Sequence, residues 1–141
     1  FASTKITHQI KAGCESHSFL GIGFTATGLS GYEIHMGRTE FVGTVRHAFT
    51  ITSRSGESTA SHDGVVRDDG LIMGTYIHGI FDNDHYRRAI INALRLRKGL
   101  PELKVEASSY LERKQNSYNK LAEVVRQHLD MKLIYQIMGV K

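Results

Sequence analysis

The sequence predicts an α/β fold in which strands come first and helices follow. Two observations carry this expectation. Glycine and β-branched residues dominate up to about residue 82, and helix formers dominate after it. Apolar residues recur with period two in the first part, and at helical spacing in the second. The 141 residues are read as one partial domain, strand-rich over 1–81 and helical over 82–141.

In FVGTVRHAFTIT, Phe41, Val45, His47, Phe49 and Ile51 alternate with Thr44, Arg46 and Thr50, which predicts a half-buried strand. In VVRDDGLIMGTYI, Asp69-Gly70 between two apolar runs predicts a tight connection into a strand from Leu71 to about Ile77. That second run is apolar at nearly every position, so it is expected to be buried on both faces. Asp82, Asn83 and Asp84 then offer side-chain oxygens for a helix start, and Tyr86, Ile90, Ala93, Leu94 and Arg97 share one face of the helix that Gly99 and Pro101 end. A longer helix is expected from about Ser108 to Leu129, with Tyr118, Leu121, Ala122, Val125 and Leu129 as its buried stripe. Asp130 caps a last short helix ending near Gly139.

A hydrophobic fraction of 40% supports a sizeable core. The net charge of +4 would suit an acidic partner, but the basic residues are dispersed and make no nucleic-acid arm. One cysteine, Cys14, rules out an internal disulfide framework and agrees with a reducing cytoplasm, the expected location. No apolar stretch approaches a membrane span, and FASTKITHQI lacks the apolar centre of a signal peptide. The first residue is Phe1 and not Met, as expected of a piece of something longer.

The stretch GTYIHGIFDND, residues 74–84, sets His78 between an apolar strand and a helix start, the place where ligands gather in open α/β sheets. Two readings stay open: a catalytic base, or a histidine hydrogen-bonded in a strand-to-helix turn. No G-x-S-x-G elbow is present, and Cys14 in KAGCESHS lacks both a preceding apolar strand and the glycine of a sharp elbow. GIGFTA, residues 21–26, fits G-x-G-x-x-A only loosely because Gly28 and Gly31 interrupt the helix that should follow. There is no P-loop, and the eight histidines show no H-x-x-x-H spacing, so no metal site is expected. GYEIHMGRT, residues 31–39, packs Tyr32, Glu33 and His35 between glycines. It is either a strand end with Glu33 and His35 facing water, or a crevice wall whose carboxylate and imidazole orient a small polar substrate.

Together, GYEIHMGRT and DGVVRDDGLIMGTYIHGIFDNDHYRRAIINALR resemble the C-terminal part of the cobyric acid synthase family. Phe1, Lys5 and Thr7 resemble its F-x-x-x-K-x-T segment, and KLAEVVRQHLDMKLI its closing helices, so the resemblance spans nearly the whole chain. It implies part of a class I glutamine amidotransferase-like, flavodoxin-like fold, with a mixed sheet followed by C-terminal helices. It also implies His78 as the histidine that assists a cysteine nucleophile in releasing ammonia from glutamine. Many class I enzymes hold that ring with a glutamate two residues on; here that position is Ile80, which leaves a Cys/His dyad or another orienting group such as Glu33.

By the same resemblance, the family's cysteine lies in a glycine-rich elbow upstream of the F-x-x-x-K-x-T segment. The nucleophile is therefore expected outside this chain, Cys14 does not replace it, and the chain alone is expected to be inactive. The implied parent amidates peripheral carboxylates of adenosylcobyrinic acid a,c-diamide in cobalamin biosynthesis. Glutamine and the corrinoid are its substrates, and ATP and Mg2+ belong to a synthetase domain outside this chain. Alternatives are the glutaminase part of a cell-wall or a,c-diamide-synthase-type ligase, or a non-catalytic docking module. The missing N-terminal portion is the expected partner, and exposed sheet edges are expected to favour self-association.

Overall fold

The computed structural model describes residues 4–14, 19–20, 27–104 and 109–140. Phe1 and the G-x-G-x-x-A match at 21–26 lie outside the described residues. The chain divides into two compact units, Phe1–Val105 and Glu106–Lys141.

The first unit is built on a five-stranded sheet from β1 (Ile6–Cys14), β2 (Leu29–His35), β3 (Phe49–Arg54), β4 (Glu57–Asp63) and β7 (Ile77–His78), in the order β4-β3-β1-β2-β7. Among the described residues its pairings are all antiparallel, and no parallel pair of the mixed sheet that the resemblance implies is among them. Two short strands, β5 (Val65–Val66) and β6 (Met73–Gly74), pair separately around the Asp69-Gly70 turn, where Gly70 takes φ +70°. A single helical turn, Ile80–Asp82, leads from β7 into α1 (Asp84–Arg97).

One face of the sheet carries the core. Register sets Ile10, Ala12, Leu29, Phe49, Ile51 and Ile77 on that side, all buried. Tyr86 and Ile90, four residues apart on one stripe of α1, complete the cluster; the Tyr86 ring meets Phe49 edge-on at 5.7 Å. The helix stripe was legible as far as these two residues, but Leu94 is 45% exposed.

Two strand expectations change. The segment from Phe41 to Val45 is not a strand: Gly43 takes φ +97°, which interrupts an extended ladder, and Val42 is fully exposed. Only Phe49 and Ile51 of the predicted alternation are fully buried in β3. The run from Leu71 to Ile77 divides between two ladders of two residues each, β6 and β7, instead of forming one doubly buried strand. Leu71 and Ile72 are exposed beside the turn, and the chain changes ladder at Thr75 and Tyr76, which Asp63 holds.

The second unit consists of α2 (Tyr110–His128) and α3 (Met131–Met138). Ser109 and Glu112 form a reciprocal capping box, and the Asp130 side chain caps α3 through the Leu133 amide. Gly139, at φ +66°, closes α3 as expected. The stripe expected to be buried is not: Tyr118, Leu121, Val125 and Leu129 are exposed and Ala122 is half-buried. Helices of 19 and 8 residues are too little structure to enclose a core of their own. Among the described residues no helix is long and apolar enough to cross a membrane.

Candidate active site

His78 ends β7, one of the two edge strands of the sheet among the described residues, and its side chain is exposed. Its direct cross-strand partner is Tyr32, so the two side chains share one face. Nε2 of His78 donates to the Ile34 carbonyl oxygen at 3.3 Å. A neutral ring bonded in this way keeps Nδ1 as its basic nitrogen, which suits a proton acceptor.

With only two residues in β7, its position depends on neighbours. Gly31 is one of them: a Cβ there would come within 2.6 Å of both the His78 carbonyl oxygen and Ile77 Cγ2. Upstream, the buried Asp63 accepts from the Thr75 hydroxyl and from the Tyr76 amide at 3.3 Å, and Thr75 Oγ1 accepts from the Ile77 amide at 3.0 Å. Downstream, Gly79 at φ +75° turns the chain into the Ile80–Asp82 turn.

Glu33 and His35 face the other way. Glu33 pairs with Ile77, on the core side of the sheet, so it does not meet the His78 ring. It does not face His78 but joins a part-buried ion network at the cleft on the core side. Arg54 donates through Nε to Oε2 at 2.6 Å and through Nη2 to Oε1 at 3.1 Å, and His35 Nε2 lies 3.2 Å from Oε1. Burial pushes the Glu33 carboxyl up, but the hydrogen bonds and charges of Arg54 and His35 outweigh it and hold the group below its ordinary value of 4.5. His35 also meets the Gly37 carbonyl oxygen through Nδ1 at 2.7 Å, and its ring lies 4.5 Å from that of Tyr76.

Sequence reasoning missed Arg54, and the reason is local. The register between β1 and β3 shifts at Lys11/Ala12, so Phe49 and Ile51 face the core and then Arg54, not Ser53, returns to that face opposite Ile10. A bulge of this kind re-aims one side chain. Arg54, Glu33, His35, Tyr76 and the stacked pair His47–His62 border a cleft of about 840 Å3 on the core side. Among the described residues no three His, Cys, Asp or Glu side chains are grouped so as to hold a metal ion.

Cys14 is on the core side as well. It pairs with Phe49 and packs against the cluster, and the Tyr86 phenol, already pushed up by burial, is raised further by Cys14. The position of Cys14, two residues beyond the Ala12–Leu29 pair, puts it about 20 Å from His78 across two strand spacings, and on the opposite face.

The sequence matches the CobB/CobQ-like glutamine amidotransferase domain over residues 1–86. It is 40% identical over 141 residues to a cobyric acid synthase of Clostridium botulinum (strain 657 / Type Ba4), covering 100% of this chain and 27% of that protein. It is 44% identical over 140 residues to the Citrobacter koseri cobyric acid synthase, covering 98% and 27%. A third relative, the cobyric acid synthase of Clostridium botulinum strain Langeland, is 46% identical over 111 residues, covering 79% and 22%. The chain thus spans about a quarter of the length of the curated relatives it matches. No solved structure matches it significantly. Because the domain match covers more than half of the chain, including His78, Tyr32 and the Glu33–Arg54 network, this chain belongs to the CobB/CobQ-like glutamine amidotransferase domain family.

Proposed function

We propose that this chain supplies the histidine of a glutamine amidotransferase site of the cobyric acid synthase type, with His78 as its proton carrier. The observation that carries the reading is an exposed imidazole at the carboxyl end of an edge strand, donating through Nε2 and so basic at Nδ1, inside GTYIHGIF. In the proposed step, a cysteine thiol outside this stretch gives its proton to His78 and its sulfur attacks the glutamine side-chain amide. The C–N bond breaks as the imidazolium returns the proton, releasing ammonia and leaving a γ-glutamyl thioester. Water then attacks the thioester, again with His78 accepting a proton, and glutamate leaves with the thiol restored. In this reading Tyr32, which shares the exposed face with His78, borders the glutamine. The Glu33–Arg54–His35 network serves as the rigid backing of β2 and not as the ring-orienting group.

The two units belong, in this reading, to one amidotransferase domain, because whole-chain matches to cobyric acid synthases run through both. The acceptor is then a corrin carboxylate in cobalamin biosynthesis. ATP and Mg2+ would serve a separate synthetase portion; the sequence here has no P-loop, and among the described residues no three His, Cys, Asp or Glu side chains are grouped to hold a metal ion. Cys14 takes no part, and the chain by itself releases no glutamate.

The test is His78→Asn in the full-length protein. Glutamine-dependent amidation should fall at least ~100-fold while amidation from free ammonia is spared. Equal loss of both would make His78 structural.

A further inference from the structure

Asn83 stands at the N-cap of α1, yet its side chain makes no cap hydrogen bond to that helix. It turns back 53 residues in sequence to β2. Its Oδ1 accepts from the Ser30 amide at 2.9 Å, and its Nδ2 donates to the Ser30 carbonyl oxygen at 2.9 Å and to the Ile80 carbonyl oxygen at 2.8 Å. Only one orientation of the amide satisfies all three bonds, because one end faces an N–H and the other faces two carbonyl oxygens. The helix forgoes the capping bond that asparagine commonly supplies, and the bonds go to the strand that carries Tyr32. One bond returns locally to Ile80, but the two to Ser30 are a departure from local preference that marks a constraint imposed from elsewhere.

The constraint is geometric. β2 holds the His78 segment at its strand end, through the Glu33–Ile77 and Tyr32–His78 pairs and the bond of the His78 ring to the Ile34 carbonyl oxygen, and beyond the turn through the Asn83 bridge to Ser30. Between them lie only Gly79 in a left-handed conformation and the Ile80–Asp82 turn. Asn83 also donates to Ile80, so it ties that turn to itself as well as to the sheet. A two-residue edge strand has little pairing of its own to hold it, and without the Asn83 bridge the segment carrying His78 would be anchored to β2 at that strand end alone.

We infer that Asn83 is a positioning residue for His78, which it holds through the backbone without touching substrate. The inference rests on the proposed role of His78. Asn92 provides an internal control: it makes the same kind of two-bond bridge, to the amide and carbonyl of Leu103, each at 2.9 Å, but on a later turn of α1. A merely stabilising role predicts the same behaviour for both asparagines.

The experiment compares Asn83→Asp, Asn83→Ala, Asn92→Ala and His78→Asn in the full-length protein. Asn83→Asp is isosteric and keeps the acceptor toward the Ser30 amide, so folding is preserved, but it sets a carboxylate oxygen against two carbonyls. Both Asn83 variants should lower kcat for glutamine-dependent amidation roughly 10- to 100-fold. KM for glutamine should stay within about twofold, and ammonia-dependent amidation should be unchanged. Asn92→Ala should leave all three at wild-type values. Wild-type kcat in Asn83→Asp, or an equal fall in Asn92→Ala, overturns the positioning role. If His78→Asn keeps its glutamine-dependent rate, it is the catalytic reading that fails. A crystal structure of Asn83→Asp then decides the clamp separately: displacement of His78 by about 1 Å or more upholds it, and an unmoved ring overturns it.

Discussion

Cys14 and His78 stand on opposite faces of one sheet, Cys14 opposite Phe49 on the core side and His78 opposite Tyr32 on the exposed side. An alternative reading in which this thiol serves as nucleophile would have to pass its proton through the sheet over about 20 Å. Cys14→Ser in the full-length protein should therefore leave glutamate release within about twofold of wild type, while lowering stability by about 1 kcal/mol through a poorer fit against the core. Abolished glutamate release in a folded variant would contradict the register.

Gly31→Ala should act on β7 rather than on β2 itself. The added carbon meets the His78 carbonyl oxygen and the Ile77 side chain at 2.6 Å, so the edge strand must move. We expect a stability loss of about 1–3 kcal/mol by chemical denaturation. Glutamine-dependent turnover should fall further than ammonia-dependent turnover, because the displaced strand carries His78.

The Glu33 network gives a pH signature. Its folded-state pKa is depressed, so its contribution is fully present above the unfolded value near 4.5 and is lost as pH falls through the lower folded value. At pH 7, Glu33→Gln should destabilise by about 1–3 kcal/mol, since it leaves the partly buried Arg54 without its carboxylate. Denaturation series at falling pH should show the gap between wild type and variant narrowing below about pH 4.5. A gap that stays constant down to pH 3 would contradict the ion network.

Asp63 is a buried carboxylate held by neutral donors. Asp63→Ala removes the acceptor of the Thr75 hydroxyl and the Tyr76 amide and should cost about 2–3 kcal/mol, with Asp63→Asn recovering part of it. The check is again denaturation; equal stabilities for the two variants would contradict the role given to these bonds.

Much of the fold was readable where one physical signal dominates. The Asp69-Gly70 turn, the glycine ends of α1 and α3, the Asp130 cap and the Tyr86/Ile90 stripe all follow from conformational freedom, capping oxygens or helical spacing. β1 and β4 were not readable. In ITHQIKAGC polar residues are as many as apolar ones, with His8 interrupting the alternation of Ile6, Ile10, Ala12 and Cys14, and in ESTASHD they outnumber them, so pairing to neighbours distant in sequence is needed to make them strands.

The candidate site divides in the same way. His78 stood out because an imidazole follows an apolar run and precedes a helix start. Glu33 and His35 stood out as polar residues set between glycines, but the face they occupy depends on register, and a shift of one residue reverses it. Arg54 reaches Glu33 only because a bulge turns it inward, and Asn83 looks like an ordinary cap until the strand it reaches is known.

The most direct measurement is a crystal structure of the full-length protein after its glutaminase cysteine has been labelled with a glutamine-mimicking electrophile. The account predicts the labelled sulfur on the Tyr32 side of the sheet, within about 4 Å of the His78 ring. A label on Cys14, or a labelled sulfur on the Glu33 side with His78 out of reach, would contradict it.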